Sequence, residues 1–111
     1  MRVSPFFTSM CLLSLLAVPV SLYAQPVVQD SDLQGVPKHA QSVLQRYEAC
    51  LHFAGEISGE PEADQYVHRR LTELGCDRID RDVAQIRNKY DTQPRVYSVL
   101  DKIEHEYDIS R

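Results

Sequence analysis

The sequence predicts an all-α fold, and three observations carry that expectation. Apolar residues recur at three- and four-residue steps in four separate stretches. Proline and glycine punctuate their ends: Pro37, Pro61 and Pro94 open three of them, and Gly55 and Gly75 close two. No stretch alternates with period two for long enough to make a strand, and no internal repeat is visible. The expected architecture is a small four-helix array over residues 38–54, 61–74, 78–90 and 94–107, irregular rather than up-down and tied by one disulfide.

Residues 1–24 read as a cleaved signal peptide. Arg2 is the only charge there, and the apolar run over residues 6–18 is shorter than the roughly 20 residues a membrane span needs. Ala24 is the expected cleavage point, and the expected location is periplasmic or secreted, with no membrane span after cleavage. Removing 24 of the 111 residues leaves 87, with 11 basic and 16 acidic groups and a net charge of −5. That acidic balance argues against a nucleic-acid binder that reads phosphates. Two cysteines remain, Cys50 and Cys76, and an oxidising compartment favours a bond between them.

Residues 25–36 show no sustained period and are expected to be a flexible N-terminal segment. A single helical domain follows over residues 37–108, with a short C-terminal tail at 109–111. The first helix carries Ala40, Val43, Leu44, Tyr47, Cys50, Leu51 and Ala54 on one face, and Gly55 is the expected left-handed cap. The second carries Ala63, Val67, Leu71 and Leu74, with acidic residues in its first turn, Arg69 and Glu73 one turn apart, and Gly75 at its end. Asp77 and Asp80 suggest a cap for the third helix, whose stripe is Ile79, Val83, Ile86 and Tyr90. The fourth presents Val96, Val99, Leu100, Ile103 and Tyr107. In a tight antiparallel hairpin the two sulfurs lie more than about 10 Å apart along the axis, because helix rise is about 1.5 Å per residue. The bond therefore requires the second helix to return to the first obliquely.

The candidate functional face is Glu48, His52, Phe53 and Glu56. Glu48, His52 and Glu56 are spaced by four, so they share the helix face opposite the apolar stripe. A carboxylate–imidazole–carboxylate row can bind a divalent metal or hold His52 as a general base. The plain alternative is a solvated polar face continuous with Gln41 and Gln45, since a metal site needs three or four convergent ligands. Glu56 has a third reading, as an acceptor for amides at the start of the second helix. Phe53 projects off the stripe and is expected to be covered by another helix, the fourth being the first choice. Asp64/His68 and Asp101/His105 read as solvated pairs. There is no glycine-rich phosphate loop, serine nucleophile elbow, paired-thiol redox motif or His-Glu-x-x-His helix. No catalytic residue, cofactor or metal is therefore assigned.

The pattern Cys50-x-His52-Phe53-x-Gly55-Glu56, followed by a basic–apolar helix, Cys76 and a helix ending at Tyr90, resembles a group of small uncharacterised exported proteins of Gram-negative bacteria. The resemblance covers roughly residues 46–90 and implies a periplasmic helical domain, without an activity to transfer. A looser likeness is to two-cysteine helical inhibitors of lysozyme, whose cysteines lie closer together. The leading expectation is a non-enzymatic binding module for another periplasmic protein or an envelope component. The alternative is a metal-binding or hydrolytic domain centred on Glu48, His52 and Glu56.

Overall fold

The computed structural model describes residues 26–109. The expected signal peptide lies outside the described residues. The described chain is all-α: α1 is Lys38–Gly55, α2 Pro61–Glu73, α3 Ile79–Lys89 and α4 Pro94–Glu106, with a 3-10 turn at Cys76–Arg78 between α2 and α3. Each helix boundary falls within one residue of the sequence expectation. Among the described residues no helix is long and apolar enough to cross a membrane.

Helix α1 is the centre of the array and packs against α2, α3, α4 and the 3-10 turn. Its stripe of Ala40, Val43, Leu44, Tyr47 and Cys50 is buried against Ile79, Val83, Ile86 and Tyr90, and against Val96, Val99, Leu100 and Ile103 of α4. Ala54, at the end of the expected stripe, is exposed. Helix α2 contributes least. Its expected stripe puts Val67 in the interior, leaves Leu71 and Leu74 half-buried and leaves Ala63 exposed. The reason is position: α2 leans on α1 and the 3-10 turn at the edge, so the apolar cluster is filled mainly by the other three helices.

Three local expectations are corrected. Gly55 is the last residue of α1 and Glu56 is its C-cap at φ −89°, so no left-handed glycine ends the helix. Gly75 is left-handed, at φ 67° and ψ 39°. That left-handed backbone is what favours glycine, and a Cβ there would also lie 2.7 Å from Nη2 of Arg78 and 3.3 Å from Nη2 of Arg46, so those guanidinium ends would have to move aside. Asp77 does not cap α3: the chain first makes the 3-10 turn, and Arg78 takes the cap position without a side-chain hydrogen bond.

The larger correction concerns residues 26–36, expected to be flexible. They form consecutive turns, and Val28, Leu33 and Val36 are buried in the same core as the helices. The segment is fastened on both sides. From α1, the Gln41 side-chain amide donates to the carbonyls of Leu33 (3.3 Å) and Val36 (2.8 Å). From α4, Lys102 pairs with Asp32 (2.7 Å) and the Arg95 guanidinium donates to the Gln34 carbonyl (2.8 Å). At the other end, Ile109 of the expected tail donates its amide to the Glu104 carbonyl at 2.8 Å.

Cys50 and Cys76 are bonded, with Cα atoms 5.6 Å apart. Beside the bond, Arg46 of α1 closes the end of α2. Its guanidinium donates to the carbonyls of Leu74 (2.9 Å) and Gly75 (3.3 Å) and pairs with Asp82 of α3 (3.0 Å). It supplies cations and donors to carbonyls that a helix C-terminus leaves unpaired. A second network joins three helices: Glu104 of α4 accepts from Tyr47 of α1 (3.3 Å) and pairs with Arg87 of α3.

Candidate binding groove

The outer face of α1, which the sequence marks as polar, is walled in on two sides. The N-terminal segment forms one wall with Pro26, Val27, Val28 and Asp30. The end of α4 forms the other with Glu106 and Tyr107. Gln45, Glu48, Ala49, His52 and Phe53 of α1 make the floor, and together they enclose a groove of about 630 Å³. That volume lies within the range of small-ligand pockets, about 300–1,000 Å³.

Glu48 builds this groove. It is 8% exposed rather than solvated. One carboxylate oxygen accepts the amide of Val27, and the other accepts the amide of Val28 at 3.0 Å. A carboxylate at the border between the core stripe and the outer face thus ties the bend at Val27 and Val28 to α1. Charge-assisted bonds of this kind are stronger than neutral ones. Without them nothing else described at Val27 and Val28 satisfies those amides.

The predicted row of Glu48, His52 and Glu56 is therefore split. Glu48 is occupied by backbone amides. His52 Nε2 and Glu56 Oε1 pair with each other at 3.1 Å, both nearly half-exposed. Among the described residues no three His, Cys, Asp or Glu side chains converge as a metal site would require. The amide-accepting role offered to Glu56 belongs to Asp64. Its Oδ1 accepts the Ser58 amide (2.9 Å) and hydroxyl (2.8 Å), and its Oδ2 accepts the Gly59 amide (2.8 Å). The Ser58 amide is the largest cause of a carboxyl held below the ordinary aspartate value, with the Ser58 hydroxyl, the Gly59 amide and nearby His68 adding to it against the opposing effect of burial. Asp64 is thus taken by the loop rather than standing in a solvated pair with His68.

Phe53 is covered by α2 and not by α4. Its ring meets Tyr66 edge-on at 6.3 Å, and the Arg70 guanidinium lies 5.4 Å from its centroid. Arg70 also pairs with Glu73 at 2.6 Å, where spacing alone suggested Arg69. Phe53 consequently joins two places: it lines the groove and carries the contact that seats α2.

The groove has a negative character. Asp30, Glu48 and Glu106 line it, and neither Lys nor Arg does. Tyr107 reports the same field. Burial is the largest cause of its hydroxyl being raised above the ordinary value, and the charges of Glu48 and Glu106 push it further the same way. Sequence reasoning found Glu48, His52 and Phe53. It missed Val27, Val28, Asp30, Glu106 and Tyr107 as groove residues; the apolar Val27–Val28 pair followed by Leu33 and Val36 was the available signal that this segment packs. Comparisons with protein-family models, with curated proteins and with solved structures find no match to the chain.

Proposed function

We propose that the protein is an exported, non-enzymatic binding module that receives a segment of another envelope or secreted protein in the groove between residues 26–30, α1 and the end of α4. The observation that carries this reading is the groove itself: apolar side chains from Val27, Val28, Ala49, Phe53 and Tyr107 alternate with a few fixed polar groups, the composition of a recognition pocket. Export is supported by the short apolar run over residues 6–18 and by the Cys50–Cys76 bond, which persists in oxidising compartments.

The test compares the wild-type chain with Ala49→Trp, which fills the groove floor. Each is crosslinked in living cells and its partners are identified from a periplasmic extract. A partner that crosslinks to the groove walls in the wild type and is lost in Ala49→Trp, with the variant still folded, is the expected result. An identical partner set for both proteins refutes the reading. Intact mass measured on the same samples is expected to show loss of the first 24 residues; a full-length mass in the cytoplasmic fraction refutes the export part.

A further inference from the structure

Resting on that reading of the groove, we infer that its occupant is a basic segment: a stretch of the partner chain in which Lys or Arg side chains alternate with apolar ones. The inference follows from how the acidic residues around the groove are partnered. Asp32, just behind the N-terminal wall, is matched by Lys102 at 2.7 Å. Glu104, two residues before Glu106 of the C-terminal wall, is matched by Arg87. Glu48 accepts two backbone amides. Asp30 and Glu106 differ. Each is exposed, each faces the groove from an opposite wall, and no side-chain hydrogen bond or ion pair is described for either. The fold thus supplies cations to the acids beside the groove and none to the two on its rim.

Between these rim carboxylates the lining is mostly apolar, with Pro26, Val27, Val28, Ala49 and the Phe53 and Tyr107 rings, and Gln45, Glu48 and His52 are the polar groups among them. A ligand that is only apolar leaves the rim charges facing its own surface. An acidic ligand meets repulsion from Asp30, Glu48 and Glu106 together. A segment with apolar side chains facing α1 and ammonium or guanidinium groups reaching each wall satisfies both halves of the surface. Charge complementarity of this kind sets partner choice and encounter rate more than total affinity. The net charge of −5 expected for residues 25–111 draws such a partner from a distance.

The experiment uses protein purified from cells expressing the complete sequence. It is titrated with a 12-residue end-blocked peptide of alternating Lys and Leu, and with matched peptides in which Gln or Glu replaces every Lys. Backbone amide resonances are followed throughout. The Lys peptide is expected to move the amides of Val28, Ala49, His52 and Tyr107 saturably, and to bind several-fold more weakly at about 0.3 M salt than at 0.05 M. The Gln peptide is expected to bind at least about tenfold more weakly, and the Glu peptide to leave the groove amides unmoved. Asp30→Asn and Glu106→Gln are each expected to weaken the Lys peptide about 3- to 10-fold. Glu62→Gln, on the exposed face of α2, is the control for general attraction to an acidic protein and is expected to change nothing.

Equal binding of the Lys and Gln peptides at the groove overturns the basic-segment inference and leaves the groove reading standing. So does Lys-peptide binding weakened as much by Glu62→Gln as by the rim variants. Failure of every peptide to move the groove amides also overturns the inference. Whether the groove reading falls with it is then decided by the Ala49→Trp crosslinking comparison, which does not depend on peptide charge.

Discussion

Reducing the Cys50–Cys76 bond is expected to loosen α2 ahead of the rest of the protein. The bond closes a loop with a sequence separation of 26 residues, and that loop holds the end of α1, the connecting turn and all of α2. Releasing it returns about 12 cal/mol/K to the unfolded chain on the loop-entropy relation, or about 3.5 kcal/mol at 25 °C. In a domain of this size each kcal/mol moves the unfolding midpoint by about 4–8 °C, so the midpoint is expected to fall by roughly 14–28 °C. The loss is not shared evenly. The apolar cluster draws its buried members from the N-terminal segment, α1, the length of α3, Tyr90 and α4, while α2 adds only the half-buried Leu74 just past its end. Once the bond is gone, α2 is held by the Arg46 bonds to Leu74 and Gly75, the Phe53–Tyr66 contact and the burial of Val67. Segments with few buried apolar contacts open locally at lower free energy than the core. The assay is thermal unfolding with and without reductant, beside hydrogen exchange read amide by amide. Amides of α2 are expected to exchange at least about tenfold faster, relative to those of α3 and α4, than in the oxidised protein. An unfolding midpoint indifferent to reductant refutes the stabilising role. Exchange that accelerates equally in α2, α3 and α4 refutes the claim that α2 is a separate, weaker unit.

Three further outcomes follow from named contacts. Glu48→Ala leaves the amides of Val27 and Val28 without their acceptor and is expected to cost about 2–3 kcal/mol in urea unfolding, with Glu48→Gln intermediate; a change below about 0.5 kcal/mol would show that the N-terminal wall is held by Gln41, Lys102 and Arg95 alone. Gly75→Ala forces a side chain into the left-handed region and against the guanidinium groups of Arg78 and Arg46, and is expected to cost about 1–2 kcal/mol, where a neutral result contradicts the assigned backbone conformation. Asp64 has a folded carboxyl held below its ordinary value of 3.8, so its contribution is present above that value and is lost as pH falls through the lower folded one. Asp64→Asn is accordingly expected to be less stable than the wild type at pH 7 and to match it in strong acid, and a gap that persists undiminished at pH 2 contradicts the ionic origin of the effect.

The local physics of this protein was legible along the chain. Apolar spacing at Ile79, Val83 and Ile86, and at Val96, Val99, Leu100 and Ile103, dictates helices with one wet side, and all seven are buried as that spacing implies. Pro61 and Pro94 start helices for a reason internal to proline, and Gly75 ends one for a reason internal to glycine. The pairing of Cys50 with Cys76 needed only their number and the inferred compartment. The groove needed more. Glu48 is joined to Val27 across 21 residues, and Arg46 to Leu74 across 28 and to Asp82 across 36. A carboxylate or guanidinium gives no sign in sequence of which distant amide or carbonyl it will meet, because helical spacing reports only neighbours within a turn. The same limit hid the burial of Val28 and Leu33: two apolar residues without a period look like loop until a helix face is there to receive them. Sequence by itself determined the four helices and the cross-link. Only the tertiary structure decided that the polar face of α1 would be roofed at its edges into an acidic groove, because that face becomes a groove through where residues 26–30 and the end of α4 come to lie.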